Sequence, residues 1–287
     1  MYNLHMRRAG LLLLPLGLIG CIQVVQRMDE EDVERLRARI HQEVGREFTV
    51  DVVDDLFVVA SNADEKRTAR AHRILSEYKR ALERTYFERT PSRPVRVFLF
   101  GDRESYTRYI ERAYTDPPKT PFGFYMPNER KMVVNISTGP GTLAHELVHP
   151  LMEADFPRAP SWFNEGFASL FEESDYSPDG VIRGRVNWRL HTLQRALRRP
   201  DPPSLKDVAK LGRDDFYDTN SGIHYAVSRF LCLFLQERGV LLHYYKLFRD
   251  DYDRDRSGLR HLEEALGTPL AEIDRQFREW ALSLREQ

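Results

Sequence analysis

The residues best suited to chemistry in this chain are His145, Glu146 and His149, in the run His145-Glu146-Leu147-Val148-His149, and Glu165, which follows sixteen positions later within Trp162-Phe163-Asn164-Glu165-Gly166-Phe167-Ala168. Side chains at i and i+4 of a helix share a face, so both imidazoles can reach one metal ion while Glu146 stands beside it. A catalytic zinc takes three protein ligands and leaves a fourth position for water, and Glu165 would supply the third ligand. Glu146 would then act as the general base on that water. The five-residue pattern alone should arise by chance in about one chain in a hundred of this size. The alternative is a helix that happens to carry two histidines and a glutamate. Glu165 adds weight to the metal reading, because a carboxylate set in an apolar run needs a partner.

The two segments together resemble the gluzincin metallopeptidases, within the aminopeptidase-like superfamily and its small bacterial peptidase MA-like members. The resemblance is strongest over residues 131–173 and weaker on either side. It implies a zincin-like α+β fold, one Zn2+ ion, and hydrolysis of a peptide or protein substrate. In the aminopeptidase branch a tyrosine on a later helix stabilises the oxyanion, and Tyr225 falls where that residue would be; the alternative is a core tyrosine that needs only a hydroxyl partner. Glu172, seven residues after Glu165 and so on the same helix face, is similar to the family's outer carboxylate that orients a ligand histidine; the alternative is a solvated surface glutamate.

The chain departs from the family in three places. Fifteen residues separate His149 from Glu165, a shorter gap than is typical of aminopeptidases. Pro150 directly follows His149 and should kink the first ligand helix or end it early. Residues 123–128 do not reproduce the loop that binds a free amino terminus in aminopeptidases, so exopeptidase specificity is not supported.

The N-terminus places Arg7 and Arg8 before an apolar run over 11–19 that is too short to span a bilayer, which needs ~20 residues. This pattern is an export signal. Leu18-Ile19-Gly20-Cys21 resembles a bacterial lipobox, which implies acylation of Cys21 and a lipid-anchored protein of the cell envelope. A signal anchor extended through residues 22–25 and a plain cleaved signal are the alternatives. The second of the two cysteines, Cys232, lies in an apolar run and reads as a small buried hydrophobe.

With signal peptide 1–20 set aside, the order of elements suggests a membrane-proximal segment over 21–47, a catalytic region over 48–173 and a helical region over 174–287 that completes it. Amphipathic spacing marks a helix over Glu30–Val44, and valine-rich 48–60 reads as a hairpin turning at Asp54-Asp55. Helices are expected over 64–89 and 102–114, and strands over 95–100, 122–126 and 131–136. After Glu165 the pattern is almost wholly helical, with helices over 188–197, 221–236, 241–248 and 269–284. Residues 214–220 read as a linker that could cover the cleft. The strand at 131–136 is the candidate substrate-binding edge, unless it lies inside the sheet. Of the scattered histidines only His224, beside Tyr225, is a candidate to line the site.

The net charge of −1 and arginines that alternate with apolar or acidic residues argue for solvated helix faces, not for nucleic-acid binding. Zinc-dependent peptide hydrolysis is the leading functional expectation. The alternatives are a lipoprotein of the same fold that binds or scaffolds without turnover, and hydrolysis of a non-peptide amide or ester.

Overall fold

A computed structural model describes residues 30–286. The export signal, Cys21 and the first part of the membrane-proximal segment lie outside the described residues. Helix α1 (Glu30–Val44) leads into β1 (Thr49–Val53) and β2 (Phe57–Ser61), which pair antiparallel as the expected hairpin. Asp54 and Asp55 both have positive φ, as a type I′ turn requires, and Leu56 N–H closes the turn on the Val53 carbonyl at 3.2 Å.

Helix α2 (Glu65–Thr85) then crosses to β3 (Val95–Phe100), and α3 (Arg103–Ala113) leads to β4 (Gly123–Met126) and β5 (Lys131–Asn135). The five strands form one mixed sheet in the order β1-β2-β3-β5-β4, with β2, β3 and β5 parallel and the two outer strands antiparallel to their neighbours. Alternate residues of the central strands feed two apolar layers. Val58, Phe98, Phe100 and Val133 meet α1 and α3, whereas Val59, Val97, Leu99 and Val134 meet α2 and the helices that follow the sheet.

The expected edge at 131–136 is therefore corrected. Lys131–Asn135 lies between β3 and β4 and is buried at all five positions, as a strand with neighbours on both sides must be. The outer position falls to β4, whose four residues are all partly exposed.

Helix α4 (Pro140–Asp155) carries the histidine pair, and α5 (Ser161–Leu170) carries Glu165. Pro150 does not end α4 early. It removes the donor to the Glu146 carbonyl, but Leu147, Val148, Leu151 and Met152 are all buried and hold the last turns in place.

Beyond α5 come a small hairpin of β6 (Ser174–Tyr176) and β7 (Ile182–Gly184), then α6 (Arg189–Leu197), the short α7 (Leu205–Ala209) and α8 (Arg213–Phe216), and the long α9 (Ser221–Glu237). Helices α10 (Leu241–Asp250), α11 (Leu259–Leu266) and α12 (Leu270–Ser283) complete the chain. One apolar cluster runs from Leu56 to Ala281, so the helical half shares its core with the sheet. No helix among the described residues is long and apolar enough to cross a membrane.

Candidate metal centre

Two packed helices bring the site together. Helix α5 lies against α9 at Gly166, where a Cβ would come within 2.7 Å of the Ser228 backbone; this close approach explains the glycine that follows Glu165. Across the site, α4 turns both imidazoles toward α5. His145 Nε2 lies 3.1 Å from Glu165 Oε2, and His149 Nε2 lies 3.9 Å from the same oxygen. One ligand atom from each of the three residues falls within 4.8 Å of the other two. His145, Glu146 and Glu165 are buried, and His149 is partly so. Glu146 Oε2 stands 3.9 Å from His149 Nε2. The group of His145, His149 and Glu165 could bind a metal ion.

The outward nitrogens of the two histidines are also held. His149 Nδ1 faces Asn164 Oδ1 at 3.1 Å, and His145 Nδ1 faces Glu172 Oε1 at 3.3 Å. With each Nδ1–H engaged outward, each Nε2 is presented inward to the shared centre.

Glu172 meets His145 as expected, but not from a continued helix. α5 stops at Leu170, where Arg229 of α9 donates to the carbonyl oxygens of Ser169 at 2.9 Å and Leu170 at 3.5 Å. Glu172 lies in the following turn, gripped by Arg189 through Nε at 2.9 Å and Nη2 at 2.7 Å and by Asn187 at 3.1 Å.

The charge state of the cluster follows from burial and neighbours. Burial opposes charge on His145, yet hydrogen bonds to Glu165 and Glu172 prevail and push it up to about 10. Burial also works against ionised Glu165, but His149, His145 and the Tyr217 hydroxyl hold it down to about 2. Glu146 is pushed up to about 8, first by burial and then by the negative charge of Glu165 and Glu172. Burial lowers His149. Three carboxylates thus share a buried space, and the Arg189 guanidinium contacts one of them, Glu172. This surplus of negative charge, with two imidazoles and a carboxylate as donors, suits a divalent cation.

The remaining candidates divide. Tyr225 on α9 lies with its ring centroid 6.4 Å from that of His145, and the Arg189 guanidinium carbon lies 5.0 Å from the same ring centroid. Burial and Glu165 raise its hydroxyl well above the usual phenol range, so it remains a proton donor. His224 is not among the grouped ligands, and its Nδ1–H donates to the Phe216 carbonyl at 2.9 Å. The segment 214–220 is not a plain linker, because it includes part of α8 and places the Tyr217 hydroxyl 2.5 Å from Glu165 Oε1. Edge strand β4 borders the site through Tyr125, whose ring stacks on His149 with centroids 6.4 Å apart.

Tyr217, Asn164, Asn187 and Arg189 all escape sequence reasoning. Only Asn164, adjacent to Glu165, had a motif to mark it.

No protein-family model matches the chain, and no curated protein matches it either.

Proposed function

We propose that the protein is an exported metallopeptidase of the gluzincin type with a zincin-like fold, anchored to the cell envelope through Cys21, in which His145, His149 and Glu165 hold one zinc ion. The observation that carries this reading is the convergence of the three ligand atoms within 4.8 Å on a buried face next to Glu146. Zinc is the metal that best suits two imidazoles and a carboxylate, and when bound there it would lower the pKa of water toward ~7 and polarise a substrate carbonyl.

The chain's own residues supply the rest. Glu146, buried beside the ligand set with Oε2 3.9 Å from His149 Nε2, can take a proton from water and return it to the leaving amine. The Tyr225 hydroxyl, kept protonated, would donate to the oxyanion that develops on the substrate carbonyl. Glu172 and Asn164 fix the orientation of the two imidazoles. The outer edge of β4 would pair with an extended peptide by main-chain hydrogen bonds, a mode that demands little of side-chain identity.

The test is zinc content and peptide hydrolysis by the full-length chain in detergent, wild type against Glu146→Gln. Retained zinc with hydrolysis abolished is the expected result. Equal hydrolysis by both proteins would remove Glu146 from the chemistry, and a wild type that binds zinc but cleaves no peptide in a broad library would favour the scaffold reading.

A further inference from the structure

Tyr217 approaches the metal centre from a segment tied down at several points. Its neighbour Phe216 is fully buried and packs against Tyr225 with ring centroids 5.4 Å apart. His224 donates from Nδ1 to the Phe216 carbonyl at 2.9 Å, and Asn220 N–H donates to Asp218 Oδ1 at 2.6 Å. From this anchored backbone the Tyr217 hydroxyl reaches Glu165, although the residue as a whole is 41% exposed.

The contact distinguishes the two oxygens of one carboxylate. Oε2 is the oxygen that faces His145 Nε2 at 3.1 Å and His149 Nε2 at 3.9 Å, whereas Oε1 receives the Tyr217 hydroxyl at 2.5 Å. An ionised carboxylate only accepts, so the phenol is the donor, and an O–H···O⁻ bond of this length is among the stronger kinds. A lone pair on Oε1 that is engaged by the phenol proton is a poorer metal ligand than one on Oε2, which faces the two imidazole nitrogens that would share the metal. Left free, Oε1 would let Glu165 chelate through both oxygens and fill a position that a hydrolytic site keeps open for water.

We propose that Tyr217 is a positioning residue that confines Glu165 to ligation through Oε2 alone, thereby keeping the metal at a low coordination number. The inference rests on the metal reading above. It assigns the 212–220 segment a part in shaping the centre, distinct from the proton-donor role given to Tyr225.

The test replaces zinc with cobalt(II), whose visible d–d absorption weakens when a four-coordinate site becomes five-coordinate. Full-length wild type and Tyr217→Phe, both loaded in detergent, are compared at equal cobalt content. Phe keeps the ring and its packing and removes only the hydroxyl. The expected result is a clear loss of d–d intensity in Tyr217→Phe at unchanged stoichiometry, with a smaller loss in the same direction for His224→Ala, which cuts the tie to the Phe216 carbonyl. His224→Ala also serves as the probe should Tyr217→Phe fail to fold. Superimposable spectra for the wild type and the folded variants would overturn the assignment. So would failure of a folded Tyr217→Phe to take up cobalt, since the hydroxyl would then be needed for binding itself. A wild type that takes up no cobalt and no zinc would instead remove the metal reading, and the two failures are thereby told apart.

Discussion

Helix α4 carries a buried charged cluster in its middle and another at its end, and the two are neutralised in opposite ways. At the end, Asp155 is fully buried and accepts from the backbone N–H groups of Glu88 at 3.1 Å and Arg89 at 2.9 Å, from the Tyr245 hydroxyl at 2.7 Å and from Arg249 Nη1 at 2.9 Å. Every lone pair has a donor, and these partners outweigh burial to hold its carboxyl below the usual range. Around His145 the balance stays open. Glu146, Glu165 and Glu172 crowd one space, and without a further cation the excess is relieved by protons, with His145 and Glu146 both pushed up. A closed cluster ties α4 to the turn before β3 and to α10, whereas an open one retains binding capacity. The contrast separates a structural ion pair from a candidate centre more clearly than burial does, since both are buried.

The largest expected effect breaks the open cluster without disturbing its shape. Glu146→Gln should lower peptide hydrolysis by roughly 10²–10⁴-fold, the usual contribution of general acid–base catalysis, with zinc content and melting temperature little changed. Steady-state kinetics together with metal analysis measure both sides of that statement. Asp155→Ala does the reverse. Removing the carboxylate leaves two backbone donors and the Tyr245 hydroxyl without their acceptor, whereas Arg249 keeps Glu88 and Asp250. Stability should therefore fall by about 1–3 kcal/mol for each buried donor left unsatisfied, read in denaturant titrations, while the zinc affinity of the molecules that remain folded is kept.

A smaller effect is expected at the edge of the open cluster. Glu172→Gln removes the charge that orients His145 and should weaken zinc binding by about 10–100-fold in a chelator competition. If affinity were unchanged while the protein became less stable, Glu172 would belong with Asp155 as a structural residue. The smallest effect is a pH dependence. Because the folded-state pKa of Asp155 is depressed from 3.8, its contribution is complete above that value and drains away as pH falls through it toward the lower folded-state pKa. The stability gap between wild type and Asp155→Asn should therefore be flat from neutrality down to about pH 5 and narrow below about pH 4, as thermal melts across that range would read.

Much of the centre was legible because its signals are local. The i, i+4 spacing of His145 and His149 is a property of any helix, and the Asp54-Asp55 hairpin and the long amphipathic helices rest on turn chemistry and periodicity within a few residues. Glu165 was legible for a related reason, as a carboxylate standing in an apolar run. The illegible parts involve contacts between distant elements. Tyr217 and Arg189 carry no pattern that points to Glu165 or Glu172, since their positions depend on how α6, α8 and α9 pack around α5. Glu172 reached His145 from a turn created by Arg229, a residue on a helix that lies far along the chain.

From its residues alone, then, the chain specified which groups could ligate, which could act as base, and which stretches would be helix or strand, because these depend on side-chain chemistry and on periods of two or 3.6 residues. Packing decided the rest. It set β5 inside the sheet and β4 at its edge, carried α4 through Pro150 because the buried residues on either side outweighed one missing hydrogen bond, and aimed Tyr217 at one particular oxygen of Glu165. Strand order, helix continuation and the partner of a given oxygen are outcomes of burial summed over many residues far apart in sequence, a sum that no local stretch contains.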